Sequence, residues 1–119
     1  MIILVDDKRN SETGIICRDL QAARLVIEAA FASGDCYYST LCLDHDLGNC
    51  DDNGMQLLEW ARDNDIGLPN TIQLVSNNPV GMQNMAALLK HDLGYEEQIA
   101  TTFKPDTQTL ELVGRIFTK

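Results

Sequence analysis

The chain has 119 residues, with 18 acidic against 9 basic side chains and a formal net charge of −9. That is the length of one domain, and 45% hydrophobic residues supply material for one core, which excludes intrinsic disorder. The charge excludes a general nucleic-acid binder, because an acidic surface repels a polyphosphate, and a local phosphate site would need a metal ion or a few cations to reverse the sign.

Ile2 to Val5 is a continuous apolar run ending in Asp6-Asp7, the pattern of a buried parallel strand. Gly14 to Arg18 is a second strand-like run. Asp19 suits the N-cap of a helix reaching about Ser33, with Leu20, Ala23, Ile27, Ala30 and Phe31 on one face and Gly34 as its stop. Ser39 to Leu43 is the third strand, ending in Asp44. After a polar loop, a helix from about Gly54 to Asn64 turns Met55, Leu58 and Ala61 inward. Thr71 to Val75 is the fourth strand. Pro79 opens a helix carrying Met82, Met85, Ala86 and Leu89 at helical spacing, and Gly94 ends its region. Ile99 to Phe103 is expected as the last strand, and Thr107 to Phe117 as a final helix burying Leu110, Val113 and Phe117.

No uninterrupted apolar stretch approaches the roughly 20 residues of a membrane helix. The start turns acidic at Asp6 with no basic run before it, unlike a signal peptide. A soluble, cytoplasmic protein with no membrane partner is expected. Cys17, Cys36, Cys42 and Cys50 match neither CxxC nor two close zinc-binding pairs, so reduced, structural cysteines are expected.

Alternating strands and helices imply right-handed crossovers and a mostly parallel sheet with helices on both faces, as a single domain over residues 1–119. The functional crevice of such a sheet lies at the carboxyl ends of its strands. Asp6 and Asp7 fall there, as do Asp44, His45 and Asp46, then Ser76, Asn77 and Asn78, and finally Lys104 and Pro105. Three carboxylates at adjacent strand ends, Asp6, Asp7 and Asp44, cannot all stay ionised without a cation. A hard divalent ion answers this: magnesium takes oxygen ligands and pairs readily with phosphate, and manganese is the alternative. Neither histidine belongs to a soft ligand set, so zinc does not fit.

A phosphate beside that ion needs further countercharge. Lys104 supplies a point charge and Ser76 a hydroxyl donor, while Asp44 is either a nucleophile or a ligand. Arg9 either clamps the phosphate or pairs with a surface acid; Asn78 either orients a ligand or caps the helix at Pro79. His45 either reaches the substrate or is a packed, hydrogen-bonded ring. Trp60, Met82 and Met85 are most simply core, and His91 faces solvent.

These residues carry a resemblance. Ile3-Leu4-Val5-Asp6-Asp7 resembles the opening of a response-regulator receiver domain, Leu43-Asp44 its phosphoacceptor strand, Ser76 its hydroxyl after strand four, and Lys104-Pro105 its lysine-proline pair. The resemblance implies a flavodoxin-like, three-layer α/β sandwich with strand order 2-1-3-4-5. Two features depart from ordinary receivers. Only seven residues, Asp7 to Thr13, separate the first two strand-like runs, so the first crossover helix is missing or vestigial. The loop after Asp44 is also longer and more acidic. Both departures are similar to a narrower group, the cyclic-phosphate-processing receiver-like family. Its marks are present as Asp6-Asp7-Lys8-Arg9, Leu43-Asp44-His45-Asp46-Leu47 and Ser76-Asn77-Asn78-Pro79-Val80-Gly81. Where that family usually has a histidine before the serine, this chain has Val75.

Three readings follow. In the first, the protein is a magnesium-dependent enzyme acting on a phosphate-bearing small molecule or nucleotide terminus. Asp6, Asp7 and Asp44 hold the ion, while Ser76 and Lys104 stabilise developing charge. In the second it is a signalling receiver phosphorylated on Asp44 by a protein partner. In the third it is an inactive binding or inhibitor protein, motivated by Val75 and the acidic charge.

Overall fold

The computed structural model describes residues 1–10, 14–35, 39–48, 51–76, 78–98 and 115–119. In chain order these form β1 (Ile2–Val5), β2 (Ile15–Cys17), α1 (Leu20–Ser33), β3 (Thr40–Leu43), α2 (Gly54–Asp63), β4 (Thr71–Leu74), α3 (Pro79–His91), β5 (Glu96–Gln98) and β6 (Arg115–Thr118). One sheet takes them in the order β2-β1-β3-β4-β6-β5. Its first four strands run parallel, so the carboxyl ends of β1, β3 and β4 lie side by side. This is the expected mostly parallel α/β sheet of a receiver-like, flavodoxin-like fold. No helix occurs among the described residues between β1 and β2, which are direct parallel neighbours with Ile3 opposite Ile15.

Local chemistry accounts for the helix ends. The Asp19 side chain accepts from the Ala22 N–H and caps α1, and Gly34, at φ 83°, closes it in the left-handed conformation. Asn53 and Gln56 form a reciprocal capping box at the start of α2. Asn78 accepts from the Gly81 N–H, and Pro79 occupies the first turn of α3, where a missing N–H costs nothing.

The core follows the strand period of two. Ile3, Val5, Leu41, Leu43, Ile72 and Leu74 share one face, buried against Leu20, Ala23 and Ile27 of α1, Leu57, Leu58 and Ala61 of α2, and Met85, Ala86 and Leu89 of α3. All three described helices therefore pack on that face. On the other, Leu4, Cys42 and Val75 form a smaller buried cluster with Ile2 and Ile16 beside it. Helices expected over this second face are not among the described residues. Cys17 and Cys42 are buried, while Cys36 and Cys50 lie outside the described residues. No described helix is long and apolar enough to cross a membrane.

Two expectations change. Phe31, placed on the buried face of α1, is 47% exposed and lies at the rim over Gly67. The helix expected from Thr107 to Phe117 is replaced at its end by β6, antiparallel to β4 with Phe117 opposite Ile72. The positions Leu110, Val113 and Phe117 fit a helical spacing, but Arg115-Ile116-Phe117-Thr118 is rich in β-branched and aromatic residues. The free backbone ladder of β4 gives those residues hydrogen-bond partners. Phe117 is fully buried as expected, on a strand rather than a helix. The expected strand Ile99 to Phe103 and the residues Thr107 to Gly114 lie outside the described residues.

Candidate functional site

The parallel ladder continues one residue past the strands. The Asp6 N–H donates to the Cys17 carbonyl at 3.1 Å and the Asp44 N–H to the Val5 carbonyl at 3.0 Å. Both aspartates therefore leave the sheet at adjacent positions. Asp6 is fully buried and Asp44 nearly so. One carboxylate oxygen from each of Asp6, Asp7 and Asp44 lies within 4.8 Å of the others. An all-oxygen, all-carboxylate set with no thiolate or imidazole suits a hard divalent ion such as magnesium or manganese. The donor chemistry fits the ion that the sequence motifs imply.

The loop after β1 folds over this cluster. Asp6 Oδ1 accepts the backbone N–H groups of Lys8 and Arg9, each at 2.9 Å. The Arg9 side chain then turns back, and its Nη1 donates to Asp6 Oδ2 at 2.8 Å and to Asp44 Oδ2 at 3.3 Å. Arg18, just after β2, braces the same loop: its Nη1 donates to the Arg9 carbonyl at 2.5 Å and to the Asp6 carbonyl at 3.3 Å.

These contacts set the charge balance. Burial first, and the Asp6 charge second, push the Asp44 carboxyl above its ordinary range, against the pull of Arg9 and the backbone N–H groups of His45 and Asp46. Burial disfavours the Arg9 cation, but its hydrogen bond to Asp6 and the charges of Asp6, Asp44 and Asp7 outweigh that and raise its pKa. Arg9 thus pairs with the buried site carboxylates themselves rather than with a surface acid.

A second group of side chains gathers where β3 and β4 meet α3. His45 turns away from Asp44 toward the first turn of α3. A Cβ on Gly81 would lie 2.5 Å from its ring, so only glycine leaves room for the imidazole. His45 Nδ1 is 2.9 Å from Asp46 Oδ1; a carboxylate only accepts, so the ring nitrogen donates. This bond, with a further one from Asn78, holds Asp46 below the usual carboxylate range despite slight burial. Asn78 Nδ2 lies 3.4 Å from the same His45 nitrogen, while Asn78 Oδ1 caps α3. Ser76, half-buried after β4, accepts the Asn78 N–H on its Oγ at 3.1 Å and keeps its own proton to donate.

The structure thus joins Asp6, Asp7, Asp44 and Arg9 in one cluster, and His45, Ser76 and Asn78 in another on neighbouring strand ends. Asn78 serves as helix cap and as neighbour of His45 at once. Lys104 lies outside the described residues. Val75 is buried against Leu4 and Cys42 on the second sheet face. Sequence reasoning missed Arg18 and Gly54. Arg18 reaches the site only because β2 pairs directly with β1. A Cβ on Gly54 would lie 2.2 Å from the Asp44 carbonyl oxygen, so this glycine lets the start of α2 close onto the end of β3. Its N–H donates to the His45 carbonyl at 2.7 Å. The sole sequence signal for Gly54 was its place at the head of a helix.

A parallel β2-β1-β3-β4 sheet with paired acids after β1 and an acid after β3 defines a receiver-like domain. A family model, the cyclic-phosphate processing receiver domain, matches residues 1–91. The chain belongs to that family, and the match spans every residue of the two clusters. No curated protein and no solved structure matches the chain.

Proposed function

We propose that this domain is a divalent-metal-dependent enzyme acting on phosphate esters, with cyclic phosphates or cyclic nucleotide ends as its substrates. The observation that carries the reading is the meeting of Asp6, Asp7 and Asp44 oxygens within 4.8 Å at the carboxyl edge of the sheet. Three acids this close favour a cation of high charge density. A bound magnesium or manganese ion supplies that charge and Lewis acidity toward a phosphoryl oxygen.

The remaining roles belong to the chain. Asp6 is locked through its Oδ1 by two backbone N–H groups, and Asp7 and Asp44 each bring an oxygen to the same cluster. The Ser76 hydroxyl, its oxygen held by the Asn78 N–H, donates its proton to an equatorial phosphate oxygen. His45 and Asn78 border the substrate where β4 meets α3, with the imidazole orientation set by Asp46. Lys104, which lies outside the described residues, is assigned to stabilising the developing charge on the resemblance alone.

The test is a phosphorus NMR time course on a 2′,3′-cyclic nucleotide with magnesium, with excess EDTA, and with Asp44→Asn. Loss of the cyclic-phosphate resonance with wild type and magnesium only is the expected result. A resonance unchanged in all three overturns the reading. Acetyl phosphate run in parallel separates the signalling alternative, which would give an acyl-phosphate signal dependent on Asp44.

A further inference from the structure

We infer that Arg9 is a displaceable counter-ion, occupying the carboxylate cluster until a divalent cation enters and then turning outward to take the phosphate. The inference rests on the metal reading above and adds a competition and a coupling to it. It begins with the oxygens. Asp6 Oδ1 is committed to the Lys8 and Arg9 N–H groups, which leaves Oδ2 for a cation. Asp6 Oδ2 is the atom that Arg9 Nη1 holds at 2.8 Å, and the same nitrogen reaches Asp44 Oδ2 at 3.3 Å. Among the described residues, the ion pairs to Asp6 and Asp44 come from Arg9. A magnesium ion needs those oxygens at about 2.0–2.1 Å, with near-octahedral geometry. A guanidinium nitrogen bridging both carboxylates occupies the oxygens that such an ion would need. The two cannot share the site.

The architecture lets Arg9 leave without unravelling the loop. Its backbone is pinned independently of its guanidinium: the N–H to Asp6 Oδ1 and the carbonyl to Arg18 Nη1. The Arg9 side chain is 19% exposed, against 0% for that of Asp6, so solvent is open to it on one side. A divalent ion on the carboxylates repels the guanidinium, and the fixed Cα keeps it within a side chain's length of the cluster. There its planar fork matches a phosphate bidentately.

Metal and phosphate are therefore coupled. The metal frees Arg9 for the phosphate, and a phosphate that holds Arg9 outside removes the metal's competitor; by linkage the effect is reciprocal. In resting protein, Arg9 keeps a buried acid such as Asp6 from standing unpaired.

Calorimetric titration of magnesium into wild type, Arg9→Met and Asp44→Asn, with and without saturating inorganic phosphate, tests this without any turnover. Without phosphate, Arg9→Met is expected to bind magnesium about tenfold more tightly than wild type, within the usual 5- to 150-fold span of coupled sites. Phosphate is expected to tighten magnesium binding more in wild type than in Arg9→Met, where direct metal–phosphate contact is the coupling that remains. Equal affinities of wild type and Arg9→Met, with binding lost in Asp44→Asn, would overturn the competition while leaving the metal reading standing. Absence of binding in every protein would sink the metal reading and this inference with it. If circular dichroism finds Arg9→Met unfolded, the wild-type titration decides alone: magnesium affinity indifferent to phosphate overturns the coupling.

Discussion

Asp44 sits beside Asp6 with its carboxyl largely out of water, and folding raises its pKa. A carboxyl raised on folding favours the fold while protonated. That contribution is full below the unfolded value of about 3.9 and is lost as pH rises through the folded value. At neutral pH the ionised Asp44 is therefore a cost to metal-free protein. Asp44→Asn keeps an oxygen for the backbone N–H groups of His45 and Asp46 and removes the charge. In metal-free buffer at pH 7 it is expected to melt a few degrees higher than wild type, the scale that about 1 kcal/mol produces in a domain of this size. The gain should shrink as the pH is lowered toward 4; thermal melts at both pH values measure it, and a lower midpoint at pH 7 would contradict it. Individual aspartates were legible as candidates because each ended an apolar run. What Arg9 does was not, since a clamp on substrate and a bridge between acids require the same residue at the same position. Distances of 2.8 and 3.3 Å to two carboxylates place it on the bridge.

At the scale of elements, α2 begins where its first residue meets the end of β3. Gly54→Ala would drive a methyl group to 2.2 Å from the Asp44 carbonyl, a backbone atom that cannot rotate away, and to 3.0 Å from the Leu43 side chain. The helix must then shift from the sheet, and the expected destabilisation is the roughly 1–3 kcal/mol typical of overpacking. Urea unfolding with an unchanged m-value would register it, and a midpoint equal to wild type would contradict it. β1 and α1 were readable almost to the residue, because a strand buried on both faces is a solid apolar run and a capped helix announces both its ends. β6 was not. Its four residues continued a helical spacing begun at Leu110, and a four-residue segment carries too little periodicity to overrule it.

At the scale of the molecule, the three described helices shield one sheet face while the strand ends hold a concentration of negative charge. An unfolded chain disperses Asp6, Asp7 and Asp44 and binds a divalent ion weakly, so an ion held by the folded cluster stabilises the fold by mass action. Magnesium at about 100 times its dissociation constant is expected to add about 2.7 kcal/mol. Scanning calorimetry with magnesium or EDTA measures this, with Asp6→Asn expected to lose the response; a midpoint indifferent to magnesium would contradict it.

The sequence by itself determined the alternation of strands and helices, the short β1–β2 connection, in which no helix occurs among the described residues, and the three acids that end strands, because burial period, caps and chain length are local properties. Only the tertiary structure decided that β6 runs antiparallel beside β4, that His45 turns toward Gly81 and Asp46, and that Arg18 braces the Arg9 loop. Each of these depends on which backbone lies alongside which, and residues far apart in the chain meet only when the sheet assembles.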